Sequence, residues 1–394
     1  MIEPISAIRA ALAGRQEAML SAISRLCAQN SYTDNPEGGR RVGAMLGELL
    51  REIPGVSVRT VTSERYADHL VAATAAAEAS PAGCVAIVGH LDTVFPPGSF
   101  EDLRRDDGIL RGPGVLDMKG GLVVAVEALR ALHVAGELAG LPVRFVIVAD
   151  EEVGSPEGKA ILERELAGAR AALVLEAGRA HDLVITARKG TGSVKATAAG
   201  RAAHAGNAHR EGANAIWAMS RFIDRAQQLT DYARGVTVNV GKVTGGESKN
   251  TVPDLCEAWL DIRFERVSDA EQTYAALDEA ARAAAESVPG TSITLRRTGG
   301  RLPLERTAEN AALYQAYAAC ARAAGLGDGE SPRLGGGSDA STTAGMGIPS
   351  IDGLGPRGSG FHTKEELIEI ASLVPKAEAM AAFLAAQKAS KSEI

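Results

Sequence analysis

The sequence lacks what a nucleic-acid binder, a membrane protein or a disulfide-built domain needs. Its 42 Lys and Arg are outnumbered by 49 Asp and Glu, for a net charge of −7, so it offers no cationic surface to a phosphate backbone. No apolar run is long enough to span a bilayer. Residues Met1 to Arg15 lack a basic stretch followed by an apolar core, so no signal peptide is predicted and a cytoplasmic location is expected. Cys27, Cys84, Cys256 and Cys320 are widely spaced and form no CxxC pair, which fits reduced, mostly buried thiols. Gly335-Gly336-Gly337-Ser338-Asp339 is glycine-rich but lacks the lysine of a phosphate loop, which excludes nucleotide binding there. There is no internal repeat, and no low-complexity segment beyond alanine-rich helices.

What the chain does have is apolar strands that end in ligand-type side chains. Phe145 to Ala149 runs straight into Asp150-Glu151-Glu152. The run is β-branched and continuous, the pattern of a strand buried on both faces in a parallel sheet, and open α/β sheets bind ligands at the carboxyl ends of such strands. Cys84 to Gly89 is a second such strand and delivers His90-Leu91-Asp92. Residues two apart share a face on extended backbone, so Asp92 is placed to hold the His90 ring. Ala171 to Leu175 is a third and ends in Glu176. Asp117 stands between glycines just before a helical pattern over 122–132, and His362 follows the glycine-bounded 358–360.

Adjacent carboxylates repel one another unless cations are present. Two divalent ions held by His90, Asp117, Glu152, Glu176 and His362, with Asp117 shared, would neutralise the cluster. Imidazole and carboxylate ligands suit Zn²⁺, and Co²⁺ or Mn²⁺ would also fit. Glu151 is then left over and can take a proton from a water. His69 reads as a structural residue and His133 as a surface residue.

The pattern changes over 187–301. Strand, helix, strand, strand, helix, strand follow one another, with Cys256 to Phe264 alternating apolar and polar. This is the order of the ferredoxin-like split motif and predicts an inserted domain with one open face. Residues 1–186 and 302–394 are expected to form one discontinuous domain around it, of α/β/α architecture.

Taken together, Gly89-His90-Leu91-Asp92-Thr93-Val94, Gly114 to Gly121, Asp150 to Ser155, Glu176, Gly336 to Ala340 and Gly360-Phe361-His362 resemble the aminoacylase/glutamate carboxypeptidase family of dizinc metallopeptidases, most closely its glutamate carboxypeptidases. The resemblance covers nearly the whole chain in order. It implies that His90 and Glu176 bind one zinc, Glu152 and His362 the other, and that Asp117 bridges. It makes Glu151 the general base and Asp92 the partner of His90. It also implies a homodimer built through the inserted domain. Within that domain, Gly200-Arg201-Ala202-Ala203-His204-Ala205-Gly206 resembles the loop whose histidine polarises the scissile carbonyl. Asn250 and Arg263 resemble substrate-anchoring positions, with Arg301 and Gly337 as further candidates; His181 and His209 match no role. The activity implied is cleavage of an amide beside a free carboxylate, in a small peptide or N-acyl amino acid. The rivals are an aminoacylase or deacetylase that reads the acyl group, and a catalytically silent metal-binding scaffold; the intact ligand set and Glu151 speak against the latter.

Overall fold

The computed structural model describes residues 2–80 and 82–389. It divides into two compact units: Met1–Ala187 with Arg306–Arg333 and Ser338–Ile394, and Arg188–Glu305 with Leu334–Gly337.

The first unit is built on a mixed sheet. Among the described residues its strands lie in the order Val56–Val61, His69–Thr74, Val143–Val148, Val85–His90, Ala171–Val174, Ser350–Ile351. The strands Val143–Val148 and Ala171–Val174 flank Val85–His90, both parallel to it. Every residue of these three strands is buried, which explains their uninterrupted apolar sequence. Helices cover the sheet in an α/β/α arrangement, with Gly120–Val134 packed on Leu373–Ala389, Ile2–Leu12 and Gln16–Cys27. Apolar spacing in the sequence predicts one helix over 4–29, but the structure has two, Ile2–Leu12 and Gln16–Cys27, because Gly14 takes φ +74° between them.

Parallel neighbours place their carboxyl ends on one edge of a sheet. The three segments that end in His90, in Glu151-Glu152 and in Glu176 are therefore brought side by side by strand pairing alone. The helix Gly120–Val134 starts hard against this edge: a Cβ on Gly121 would lie 2.5 Å from the carbonyl oxygen of Leu175. That contact requires glycine. A second, small sheet orders Gly358–Ser359, Leu367–Glu369, Ile109–Arg111 and Arg104–Asp106. The first two of these strands form a hairpin whose loop carries His362.

The second unit has an antiparallel sheet in the order Thr237–Gly245, Leu255–Phe264, Gly190–Ala199, Ser292–Arg301. Alternate residues of Gly190–Ala199 and Leu255–Phe264 are buried. The helices Ala215–Gln227 and Val267–Glu286 pack on that sheet. The chain order is strand, helix, strand, strand, helix, strand, with the short pair Ala203–His204 and Thr251–Val252 added. The glycines 335–337 fold with this unit rather than with the first, because Lys189 donates its backbone N–H to the Leu334 carbonyl and Arg188 Nη1 donates to the Gly336 carbonyl.

Candidate metal centre

In the first unit, His90, Asp117, Glu151, Glu152, Glu176 and His362 converge. Ligand-type atoms of His90, Glu151 and Glu176 lie within 4.8 Å of one another, as do those of His90, Asp117 and Glu152. His90 Nε2 is 3.3 Å from Asp117 Oδ1, and His362 Nε2 is 3.3 Å from Asp117 Oδ2 and 3.2 Å from Glu152 Oε2. Asp117 thus presents one oxygen to each histidine. Separations of this size are long for charged hydrogen bonds, but two ligands around a tetrahedral zinc stand about 3.4 Å apart when the bonds are near 2.1 Å.

The polar atoms of the cluster are poorly served by protein partners. Asp117 Oδ1, Glu152 Oε1 and Glu176 Oε1 are buried and accept no hydrogen bond. His90 Nε2 approaches Asp117 Oδ1 without the geometry of one. Buried carboxylate oxygens without donors are costly, and several facing one centre fit a cation. Electrostatics agrees. Burial, then the charge of Asp117, holds the Glu176 carboxyl well above its usual range, and burial also raises Glu152. Hydrogen bonds to Asp117 and Glu152 raise His362 to about 10. Burial opposes a charge on His90, yet Asp117 and Asp92 still raise it well above its ordinary value. The cluster therefore favours positive charge at its centre.

Local structure fixes each side chain. His90 Nδ1 donates to the backbone carbonyl of Asp92 at 3.0 Å, which leaves Nε2 with its lone pair toward Asp117. Asp92 Oδ1 also lies 3.4 Å from Nδ1, so Asp92 faces the ring with both its carbonyl and its carboxylate. That carboxylate further accepts the backbone N–H of Glu151 and of Glu152, each at 3.2 Å, and the Thr33 hydroxyl at 2.8 Å. It pins the turn that aims both glutamates. Asp150, next to them, points away and accepts the N–H groups of Glu157 and Gly158. His362 sits at φ +62°, a left-handed conformation that costs a non-glycine residue on the order of 1 kcal/mol and is held here by the hairpin around it. His69 is buried and accepts the Ala149 N–H on Nδ1, in keeping with a structural role.

Two features near the centre escaped the sequence reading. Glu366 is fully buried and accepts N–H groups from the Asp117 segment. In the sequence it ends the polar run Thr363 to Glu366, which reads as solvated surface. Lys119 is buried too, and its Nζ donates to the carbonyls of Leu26 and Gln29 at the end of the helix Gln16–Cys27.

The remaining candidates lie in the second unit. His204 and Asn250 are brought together: Thr251 pairs with His204, and Ala205 donates its N–H to the Asn250 carbonyl. His204 Nδ1 accepts the N–H groups of Gly206 and Asn207, both at 3.1 Å. The neutral ring must then carry its proton on Nε2, as an exposed donor. The Arg263 guanidinium is held by Asp261 through two bonds of 2.8 and 2.9 Å, and Nη1 donates to the Gly335 carbonyl. Arg301 packs on Gly337, where a Cβ would meet its Cδ at 3.0 Å. Arg188, Arg263 and Arg301 thus gather at the glycine turn 335–337.

The comparisons with known proteins agree with this geometry. The model of Peptidase family M20/M25/M40 matches residues 86–386. The chain is 28% identical over 375 residues to carboxypeptidase G2 of Pseudomonas sp. (strain RS-16), covering 94% of this chain and 89% of that one. It is 33% identical over 193 residues to acetylornithine deacetylase of Myxococcus xanthus, covering 45% and 49% of the two chains. The aminopeptidase PepT of Bacillus cereus has the same fold, with a TM-score of 0.77 at 24% identity over 95% of this chain and 99% of that one. Ligand-type residues gathered at adjacent strand ends and a family match over most of the chain lead to one conclusion: the protein belongs to peptidase family M20/M25/M40 and is a metal-dependent peptidase or amidohydrolase.

Proposed function

We propose that the protein hydrolyses an amide bond beside a free carboxylate and releases a C-terminal, glutamate-like amino acid from a peptide or an N-acyl amino acid. The observation that carries this reading is the similarity to carboxypeptidase G2 across 94% of the chain. His90, Asp117 and Glu176 would hold one Zn²⁺, and Asp117, Glu152 and His362 a second, with Co²⁺ or Mn²⁺ as substitutes. When bound, such a pair lowers the pKa of water to about 7 and polarises a carbonyl.

Glu151 takes the proton from the attacking water and returns it to the leaving amine. Asp92 keeps Glu151 and Glu152 in distinct orientations by accepting both of their backbone N–H groups. His204, with its proton on Nε2, donates to the carbonyl oxygen as negative charge develops there. Arg263 and Asn250 hold the substrate, and Arg301 and Gly337 add to the grip on its carboxylate. We propose further that the protein is a homodimer through its second unit. Its four free cysteines favour a reducing, cytoplasmic setting.

The deacetylase similarity favours a second reading, in which the acyl group is the recognised part. A panel separates the two: release of free amino acid from N-acyl and dipeptide substrates that vary one side at a time. Rates governed by the released residue support the carboxypeptidase reading. Rates governed by the acyl group, with any amino acid accepted, overturn it.

A further inference from the structure

We propose that Glu366 is a positioning residue of the metal centre, one that sets the spacing between Asp117 and His362. The inference rests on the reading that those two residues hold a common ion.

The Asp117 segment, Val115–Lys119, is a single π-type turn closed by the Lys119 N–H on the Gly114 carbonyl at 2.8 Å and broken at Asp117 and Met118. Asp117 sits at φ −120°, ψ 92°, between a glycine turn and the start of a helix, so its N–H groups need partners from elsewhere. Glu366 supplies them. Its Oε1 accepts the N–H of Leu116 at 2.8 Å and of Asp117 at 2.9 Å, and its Oε2 accepts that of Gly114 at 3.0 Å. Its backbone carbonyl accepts the N–H of Gly112 at 3.1 Å. The stretch from Gly112 to Asp117 is folded around this one residue, which is fully buried.

Glu366 also closes the hairpin loop that carries His362. The Thr363 N–H meets the Gly360 carbonyl at 3.0 Å, and the Glu366 N–H meets the Thr363 carbonyl at 3.2 Å. Gly360, at φ +78°, lets the chain double back, since a Cβ there would strike the Glu365 carbonyl. One buried residue therefore ties together two segments from distant parts of the sequence, its carboxylate on the Asp117 segment and its backbone N–H on the His362 loop, and each segment contributes one of the groups that face each other at 3.3 Å. A carboxylate has two acceptor oxygens and no donor, which suits three inward N–H groups. An amide of the same size has one acceptor and turns an NH₂ toward donors, so the loop must shift.

The test is Glu366→Gln measured by metal binding. Co²⁺ is titrated into metal-free protein and followed by visible absorption and equilibrium dialysis. We expect the ion shared by Asp117 and His362 to bind 10–100-fold more weakly, the usual size of an outer-sphere effect. Glu378→Gln, which removes another buried carboxylate, one bonded to Arg9, is expected to lower the melting temperature and leave Co²⁺ affinity unchanged. Glu366→Asp keeps the charge but is one methylene shorter. It should weaken the same ion, and it serves if the Gln variant does not fold. Wild-type affinity for both ions in either folded variant overturns the proposal. Wild-type protein that takes up no pair of ions would instead overturn the reading beneath it.

Discussion

His362 Nε2 lies 3.3 Å from Asp117 Oδ2, although the two residues come from opposite parts of the chain. The same nitrogen is 3.2 Å from Glu152, and the second oxygen of Asp117 faces His90 at 3.3 Å. Asp117 is in this way the centre of a symmetric pair of acid–histidine contacts, and the first expectations concern what belongs between them.

Removal of metal should abolish activity, and Zn²⁺, Co²⁺ or Mn²⁺ should restore it. Without ions, Asp117, Glu152 and Glu176 retain buried oxygens that no donor serves. The apo protein should therefore melt lower. At free Zn²⁺ a thousandfold above the dissociation constant, binding stabilises the native state by about 4 kcal/mol. Calorimetry with and without a chelator reads this directly. Full activity after verified removal of all metal would refute the proposed centre.

Glu151→Gln should lower kcat by about 10²–10⁴-fold, the range for loss of a general base. Its metal content should stay near wild type. Glu152→Gln should lose metal as well as activity, because His362 faces Glu152 directly. Metal analysis of the two variants decides which glutamate is the ligand. Loss of metal from Glu151→Gln with normal content in Glu152→Gln would exchange their roles.

His204→Ala should lower turnover by about 10²–10³-fold while leaving metal content intact, as expected for loss of one donor to a developing oxyanion. A mixing experiment asks whose site it serves. Chains carrying His204→Ala are combined with chains carrying Glu151→Ala under subunit exchange. If His204 acts on the partner's substrate, each mixed dimer holds one complete site, and activity rises toward about a quarter of wild type for free two-fold exchange. No recovery despite demonstrated exchange means that His204 acts within its own chain or not in catalysis.

Lys376 should make stability rise with pH in the alkaline range. Its side chain is buried, with Asp182 Oδ1 3.7 Å from Nζ, and burial pushes the ammonium down to about 8. In the unfolded chain a lysine titrates near 10.4. Below pH 8 the group is charged in both states and the folded protein bears the cost of burying it. Between about 8 and 10.4 the folded state has released the proton and the unfolded state has not, so the unfolded state binds more protons and stability increases. Lys376→Met removes this contribution. Wild-type stability relative to the variant, from urea titrations, should climb by on the order of 1–3 kcal/mol across that window. A difference that stays flat with pH contradicts it.

Much of the site could be read from sequence because of how the sheet forms. A strand buried on both faces must be apolar throughout, so an acid or histidine at its end stands out. His90, Glu151, Glu152 and Glu176 were legible for that reason, and parallel pairing then leaves little choice about where they meet. Asn35-Pro36 reads in the sequence as a helix cap and first-position proline and was legible for that reason: Asn35 accepts the Gly38 N–H ahead of the helix Pro36–Arg51. The break at Gly14 was not, because apolar spacing runs through it unchanged.

What the sequence determines by itself is therefore the catalogue of ligand-type residues, their placement at strand ends and turns, and the order of elements in both units. Those follow from periodicity and from the conformational limits of glycine and proline, which act locally. Only the tertiary structure decides that the Asp92 carbonyl bonds His90 and that the Asp92 carboxylate also holds the glutamate turn. Only the fold shows that His204 Nδ1 accepts the Gly206 and Asn207 N–H groups, that glycines 335–337 belong with the second unit, and that Glu366 is buried beneath Asp117. Each of these depends on which backbone N–H groups a side chain meets across a fold. Such partners are set by long-range packing, and no spacing along the chain encodes them.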